Sequence, residues 1–222
     1  MSILNDPKLE ALLAALHAQS EGQSGAMAEY FGRRAREGTL DWKHMDEETH
    51  SFFRDKMVAL EKDKAEYCYA LCRALRATRV VEAGTSFGVS TLYLAAAVRD
   101  NGGGTVIATE YEPSKAKVAR ANFAAAGLSD YIDLREGDLA ETLKAIDGPV
   151  DFMLLDIWTD AVMPAVRNVA PHLRVGAIIV ADNTTEARGG YRDYFAYIAD
   201  PKHRLRTLTL PFAGGLEMTV RM

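Results

Sequence analysis

The chain has 222 residues, of which 48% are hydrophobic and 26% charged, with a formal net charge of −5. That length buries a substantial core without disulfide or metal staples. An acidic balance with no long basic block argues against nucleic acid as a partner and for small-molecule chemistry. No apolar run reaches membrane-spanning length, and Asn5, Asp6, Lys8 and Glu10 interrupt the N-terminus where a signal peptide needs an apolar core, so a cytoplasmic protein is expected.

Two helical tracts come first, Pro7 to about Glu37 with a break at Glu21 to Gly25, then Asp46 to Leu75. Leu9, Leu12, Leu13 and Leu16 recur at the helical period and give one apolar stripe. Residues 1–75 therefore read as a helical cap, with the first tract a candidate lid or homodimer surface. The two cysteines, Cys68 and Cys72, lie four apart in a helical stretch with no partner at zinc-ligand spacing, which is the pattern of core packing. The five histidines are scattered and form no nucleophile or zinc constellation.

From Arg79 the pattern alternates: strand 80–83, helix 88–98, strand 105–109, helix 113–126, strand 131–135, helix 139–146, strand 151–156, helix 160–172, strand 176–181 and helix 189–198. Alternation of this kind means an α/β fold with a parallel sheet covered on both faces. The tail departs from it, because HRLRTLTL and GLEMTVRM are two strands joined by PFAGG, a terminal hairpin that puts one antiparallel strand into the sheet. The expectation is one domain over 1–222 with a mostly parallel seven-stranded sheet.

The most informative stretch is VVEAGTSFGVSTLYLA, Val80 to Ala95: a β-branched run, an acid, a glycine turn and a helix start. Gly84 and Gly88 let the backbone take positive φ and approach a ligand, and the N–H groups of the helix beginning near Ser86 to Ser90 face the same spot. A strand-turn-helix also needs glycine for purely steric reasons. A dinucleotide fingerprint requires G-x-G-x-x-G, and Thr85, Ser86 and Phe87 fill the gap between these glycines, so an NAD-dependent oxidoreductase is disfavoured. The next strand ends on Glu110, whose carboxylate has the reach to accept both hydroxyls of a ribose, and Tyr111 offers a ring to adenine. An adenosine with a short, non-phosphate tail suits such a pocket, and S-adenosylmethionine (SAM) fits that description.

Ligands of open α/β sheets bind at the carboxyl ends of the strands. The fourth strand ends on Asp156 and the fifth on Asp182 and Asn183; were those strands neighbours, three hard oxygen donors would converge in a set suited to Mg²⁺. A single strand-end Asp is commonly a helix cap.

Together the loop EAGTSFGVS, the TE of the second strand, the LLDIW and ADN pair and the terminal GGLE resemble the metal-dependent, SAM-dependent O-methyltransferases of the catechol O-methyltransferase type. The resemblance runs from about Met57 to the C-terminus. It implies a Rossmann-like class I methyltransferase fold and Mg²⁺-assisted methyl transfer to a phenolic or catecholic small molecule. It places Glu82, Gly84 and Ser90 along the methionine part of SAM, Glu110 on the ribose and Trp158 on adenine. Met57, Ser86, Gly88, Tyr111, Gly137, Asp138 and Asp156 complete the expected cofactor contacts. The same likeness makes Asp156, Asp182 and Asn183 the metal ligands and Glu217 the acid that receives a substrate hydroxyl. One departure matters: Thr159 follows Trp158 where the family carries a lysine general base, and a hydroxyl is too weakly basic to replace it. Asp160 is then the candidate to take the proton. Two other readings stay open, methylation of a different hydroxylated molecule and a non-catalytic adenosine-binding module.

Overall fold

The computed structural model describes residues 3–41 and 44–222. Seven strands form one sheet, β1 (Arg79–Ala83), β2 (Thr105–Glu110), β3 (Ile132–Glu136), β4 (Val150–Leu155), β5 (Leu173–Asp182), β6 (Leu205–Leu210) and β7 (Leu216–Arg221), in the order β3-β2-β1-β4-β5-β7-β6. β7 runs antiparallel to both β5 and β6, and the other pairings are parallel. This is the mostly parallel seven-stranded sheet with a C-terminal antiparallel hairpin expected of a Rossmann-like class I methyltransferase fold.

Strand residues alternate between two cores, as the pleat requires. Val80 of β1 joins Val106, Phe152 and Leu154 on one face, while Val81 and Ala83 join Ile107, Met153 and Leu155 on the other. The first face is covered by α4 (Lys62–Ala74), α5 (Val89–Asp100) and α6 (Pro113–Ala126), the second by α7 (Leu139–Thr142), α8 (Thr159–Val169) and α9 (Arg192–Ala199). Every residue of α5 from Val89 to Val98 is buried, and its alanines allow the close approach of α4, where Cys68 and Cys72 lie as buried free thiols. Asp151 ties the N-terminal edge of the central strands: its carboxylate accepts from the Thr78 and Arg79 amides at 2.8 and 2.9 Å and from Arg174 Nε at 2.5 Å.

The first helical tract breaks as expected into α1 (Pro7–Glu21) and α2 (Ser24–Glu37), with Asp6 capping α1 by accepting from the Leu9 amide. The second tract is not continuous. It divides into α3 (Glu47–Phe53) and α4, because the segment between them is held by side chains of the first tract. Gln23 Oε1 accepts from the Met57 amide at 3.1 Å, and the Ser20 hydroxyl donates to the Met57 carbonyl. α7 stops four residues short of its expected end, since Arg135 Nη1 donates to the carbonyls of Thr142 and Ala145 at 2.8 and 2.6 Å. α9 begins at Arg192, not at 189: Gly189 and Gly190 stay in a turn where a Cβ on Gly190 would fall 2.2 Å from Thr159 Oγ1. Among the described residues no helix is long and apolar enough to cross a membrane.

Candidate active site

A cavity of about 690 Å³ opens at the carboxyl ends of the strands, where the order turns outward on either side of β1 and β4. Gly84 and Ser86 from the loop after β1, Glu110 and Tyr111 after β2, and Gly137 and Asp138 after β3 line one half. Asp156 and Trp158 after β4, with Asp182 and Asn183 after β5, line the other.

The loop after β1 is shaped for close backbone approach. Gly84 has φ +98°, and a Cβ there would lie 2.0 Å from the Asp156 carbonyl oxygen, so any side chain would push β1 and β4 apart at their tips. Ser86 also has positive φ, its N–H donates to Glu110 Oε2 at 2.7 Å, and its buried hydroxyl has no protein partner. Glu110 Oε1 accepts from the Glu112 amide at 2.8 Å. Burial raises the Glu110 carboxyl, although these amides and Lys115 pull it back. A cradle of bare backbone, a partnerless hydroxyl and a strand-end carboxylate suits an adenosyl ligand with hydroxyls and an α-amino acid tail.

Four expected cofactor contacts do not line the cavity. Met57 is buried in the cap core, and its neighbour Val58 faces the cavity instead. Gly88 is needed for packing, since a Cβ there would sit 2.4 Å from the Phe123 ring. Glu82 and Ser90 lie beneath the loop. Burial lifts the Glu82 carboxyl to about 7 against the pull of the Thr91, Ser90 and Thr85 hydroxyls, the last donating at 3.0 Å, while Glu82 Oε1 has no partner. These two residues set the shape of the loop from below.

β4 and β5 are neighbours, and Asp156 and Asp182 stand at the ends of the paired tips Leu155 and Ala181. Burial pushes the Asp156 carboxyl well up, with Asp182 and Glu61 adding to the effect. What pairs with Asp182 was not foreseen. The fully buried Lys64 Nζ, from the first turn of α4, donates to Asp182 Oδ1 at 2.6 Å and lies 2.8 Å from Glu61 Oε2. Burial alone would lower that ammonium, but the two carboxylates hold it above its ordinary range and charged. Asn183 adopts a left-handed φ of 55°, and its Oδ1 lies where a Cβ on Gly214 would come within 2.3 Å. Among the described residues no group of three or more His, Cys, Asp or Glu is arranged to hold a metal. The expected Mg²⁺ does not fit this donor set, because an ammonium already neutralises the carboxylate that would bind it and a second cation would be repelled.

Glu217 is also displaced from its expected role. It is 1% exposed on β7, and both its oxygens serve the hairpin, accepting from the Thr207 hydroxyl and, at 2.5 Å, from the Thr209 hydroxyl. Its side chain does not line the cavity, whereas Glu186 does. Asp160, exposed in the first turn of α8, does line it. The cap supplies a wall of Met27, Phe31, Met45 and Phe53, with Phe53 meeting Trp158 edge to face at 5.3 Å. His50 sits against Tyr111 and places Nδ1 3.1 Å from Glu112 Oε1. Lys64, Glu186, Tyr191 and the cap aromatics carry no local motif; only the fold brings them to the site.

Residues 81–184 match a family described as a methyltransferase domain. The chain is 33% identical over 134 residues to a catechol O-methyltransferase of Mycobacterium tuberculosis, covering 60% of this chain and 59% of that protein. It is 30% identical to a catechol O-methyltransferase of Niastella koreensis, covering 57% and 58%. The matched segment thus spans less than two thirds of these relatives. In fold, the chain is similar to the O-methyltransferase of Bacillus cereus solved in complex with SAH, with a TM-score of 0.71 and 21% identity over 99% of this chain and 93% of that one. It is also similar to an SAH-bound methyltransferase of Podospora anserina, with a TM-score of 0.67 and 19% identity over 91% and 96%. Residues 81–184 thus resemble a methyltransferase domain, the chain has the class I methyltransferase fold, and in sequence it is similar to catechol O-methyltransferases.

Proposed function

We propose that this protein transfers the methyl group of SAM to a hydroxyl oxygen of a small molecule. The observation that carries the reading is the sharing of one cavity by the backbone cradle of Gly84, Ser86 and Glu110 and by the strand-end acids Asp156 and Asp182. When bound, SAM supplies an electrophilic methyl on a sulfonium.

This chain's residues position the two reactants and exclude water. Glu110 takes the ribose hydroxyls, the Trp158 ring flanks adenine, and the N–H groups and hydroxyl at Ser86 meet the amino acid tail. The Met27, Phe31, Met45 and Phe53 wall holds an apolar ring at the mouth, so that a hydroxyl of that ring reaches the strand tips and is held near the methyl. Asp182, whose carboxyl burial pushes up to about 6 against the pull of Lys64, accepts a hydrogen bond from that hydroxyl. Asp160, at the solvent side of the cavity, passes the released proton to water.

Catechols are the first acceptors to test because the curated relatives are named for them. Incubation with methyl-labelled SAM and a panel of catechols and other hydroxylated aromatics, with product analysis, tests the reading. Label in an ether product supports it; SAM binding without transfer to any acceptor would turn the protein into an adenosine-binding module.

A further inference from the structure

We propose that the Lys64 ammonium is the resident cation of this site, filling with a tethered single charge the seat at Asp182 that a divalent ion would need. The inference rests on the reading of this cavity as the methyl-transfer site.

Three observations combine. Lys64 is completely buried, yet its ammonium meets Asp182 at 2.6 Å and Glu61 at 2.8 Å, so it is paired on both sides, which is the condition for keeping a charge out of water. It cannot swing away as a surface lysine does. It belongs to α4, whose Ala65, Cys68 and Cys72 are packed in the core, and leaving Asp182 would break its buried charge-assisted hydrogen bond and leave it only the half-exposed Glu61. Finally, the amide oxygen of Asn183 packs against Gly214, where a Cβ would come within 2.3 Å of it, so the third expected donor lies against the hairpin turn. A divalent ion arriving at Asp182 would have to break a charge-assisted hydrogen bond and then sit beside the positive charge that made it.

The charge also does what a cation is needed for at two adjacent acids. It offsets their repulsion and, through Oδ1, fixes the orientation of the Asp182 carboxylate at the tip of β5, where Asp182 lines the cavity. Lys64 is therefore a positioning residue, acting on the acceptor through Asp182.

The test is a Mn²⁺ titration followed by electron paramagnetic resonance, on the full chain and on Lys64→Met, Lys64→Gln and Asp182→Asn, with circular dichroism to confirm folding. The expected result is that the unsubstituted protein leaves millimolar Mn²⁺ free, while a folded Lys64 variant binds one ion per chain at least tenfold more tightly and releases it to Mg²⁺. One bound Mn²⁺ in the unsubstituted protein, lost in Asp182→Asn, would overturn the proposal. So would folded Lys64 variants that gain no affinity. Calorimetry with SAM in the presence of EDTA separates this from the functional reading: failure to bind SAM at all defeats that reading, whatever the Mn²⁺ titration shows.

Discussion

The backbone N–H of Ser86 donates to Glu110 Oε2 at 2.7 Å, which joins the turn of the loop after β1 to the end of β2. One carboxylate thus both holds the loop in its left-handed turn and faces the ligand cavity. Replacing Glu110 with Ala is expected to weaken SAM binding by about 1 to 3 kcal/mol, the range for hydrogen bonds to a charged group. Glu110→Gln, which keeps an acceptor for the Ser86 amide, should lose less. Calorimetric titration with SAM checks both, and equal affinity in all three proteins would remove Glu110 from the cofactor site.

Thr159 stands where the resemblance predicts a lysine base, and restoring the lysine is the obvious gain-of-function experiment. The structure argues that it fails. Thr159 is 9% exposed and packed so closely on Gly190 that a Cβ there would collide with it. A lysine is expected to displace the Ala187–Tyr191 turn and cost roughly 1 to 3 kcal/mol of stability through overpacking. Thermal melts of Thr159→Lys should show a lowered midpoint with no rise in methylation of catechols between pH 6 and 9; a faster variant of unchanged stability would contradict this packing.

Glu217 separates two readings by a stability measurement. As the buried partner of the exposed Thr207 and Thr209 hydroxyls it holds the β6–β7 hairpin, so Glu217→Ala should destabilise the fold by about 1 to 3 kcal/mol through the loss of two hydrogen bonds to a carboxylate. Its effect on the acceptor KM should be small. A large rise in KM with undiminished stability would return Glu217 to the acceptor site.

Asp151 gives a pH dependence whose sign is fixed. Burial pushes its carboxyl up, but Arg174 and the Thr78 and Arg79 amides outweigh that and hold it below the ordinary range. Because its folded-state value lies below its unfolded value, the stabilisation is complete above the unfolded value, near pH 4, and is lost as pH falls through the folded one. Urea unfolding from pH 7 to pH 2 should show the advantage of the native protein over Asp151→Ala shrinking below about pH 4. A gap that stayed constant down to pH 2 would contradict the ion pair.

Much of this was legible in the chain because strand ends and turns are written locally. The β1 loop, the acids Glu110, Asp156 and Asp182, and the terminal hairpin all declare themselves through alternation and glycine, and the structure places those acids at the cavity. Gly88 misled because one residue type serves two purposes: close ligand approach at Gly84 and ring packing on Phe123 at Gly88 look alike in sequence. Lys64 was illegible for a different reason. In the sequence it is one of four charged residues in EKDK, indistinguishable from a solvated helix start, and only the placement of the α4 N-terminus beside the tip of β5 turns it inward to Asp182. Glu217 was placed at the right strand but on the wrong side of its hydrogen bonds, since the threonines that claim it lie on the partner strand of the hairpin.

The strand order has a consequence for how this chain is made. Val80 of β1 pairs with Val106 on one side and with Phe152 on the other, and Ala181 of β5 pairs with Glu217 close to the C-terminus. During synthesis, β1 therefore emerges with one edge that has no partner until β4 follows, and β5 waits for β7. Such distant pairings make folding slow and leave strand edges open to other nascent chains. Shortening the chain before β7 should accordingly yield aggregates, even though every residue that lines the cavity would still be present.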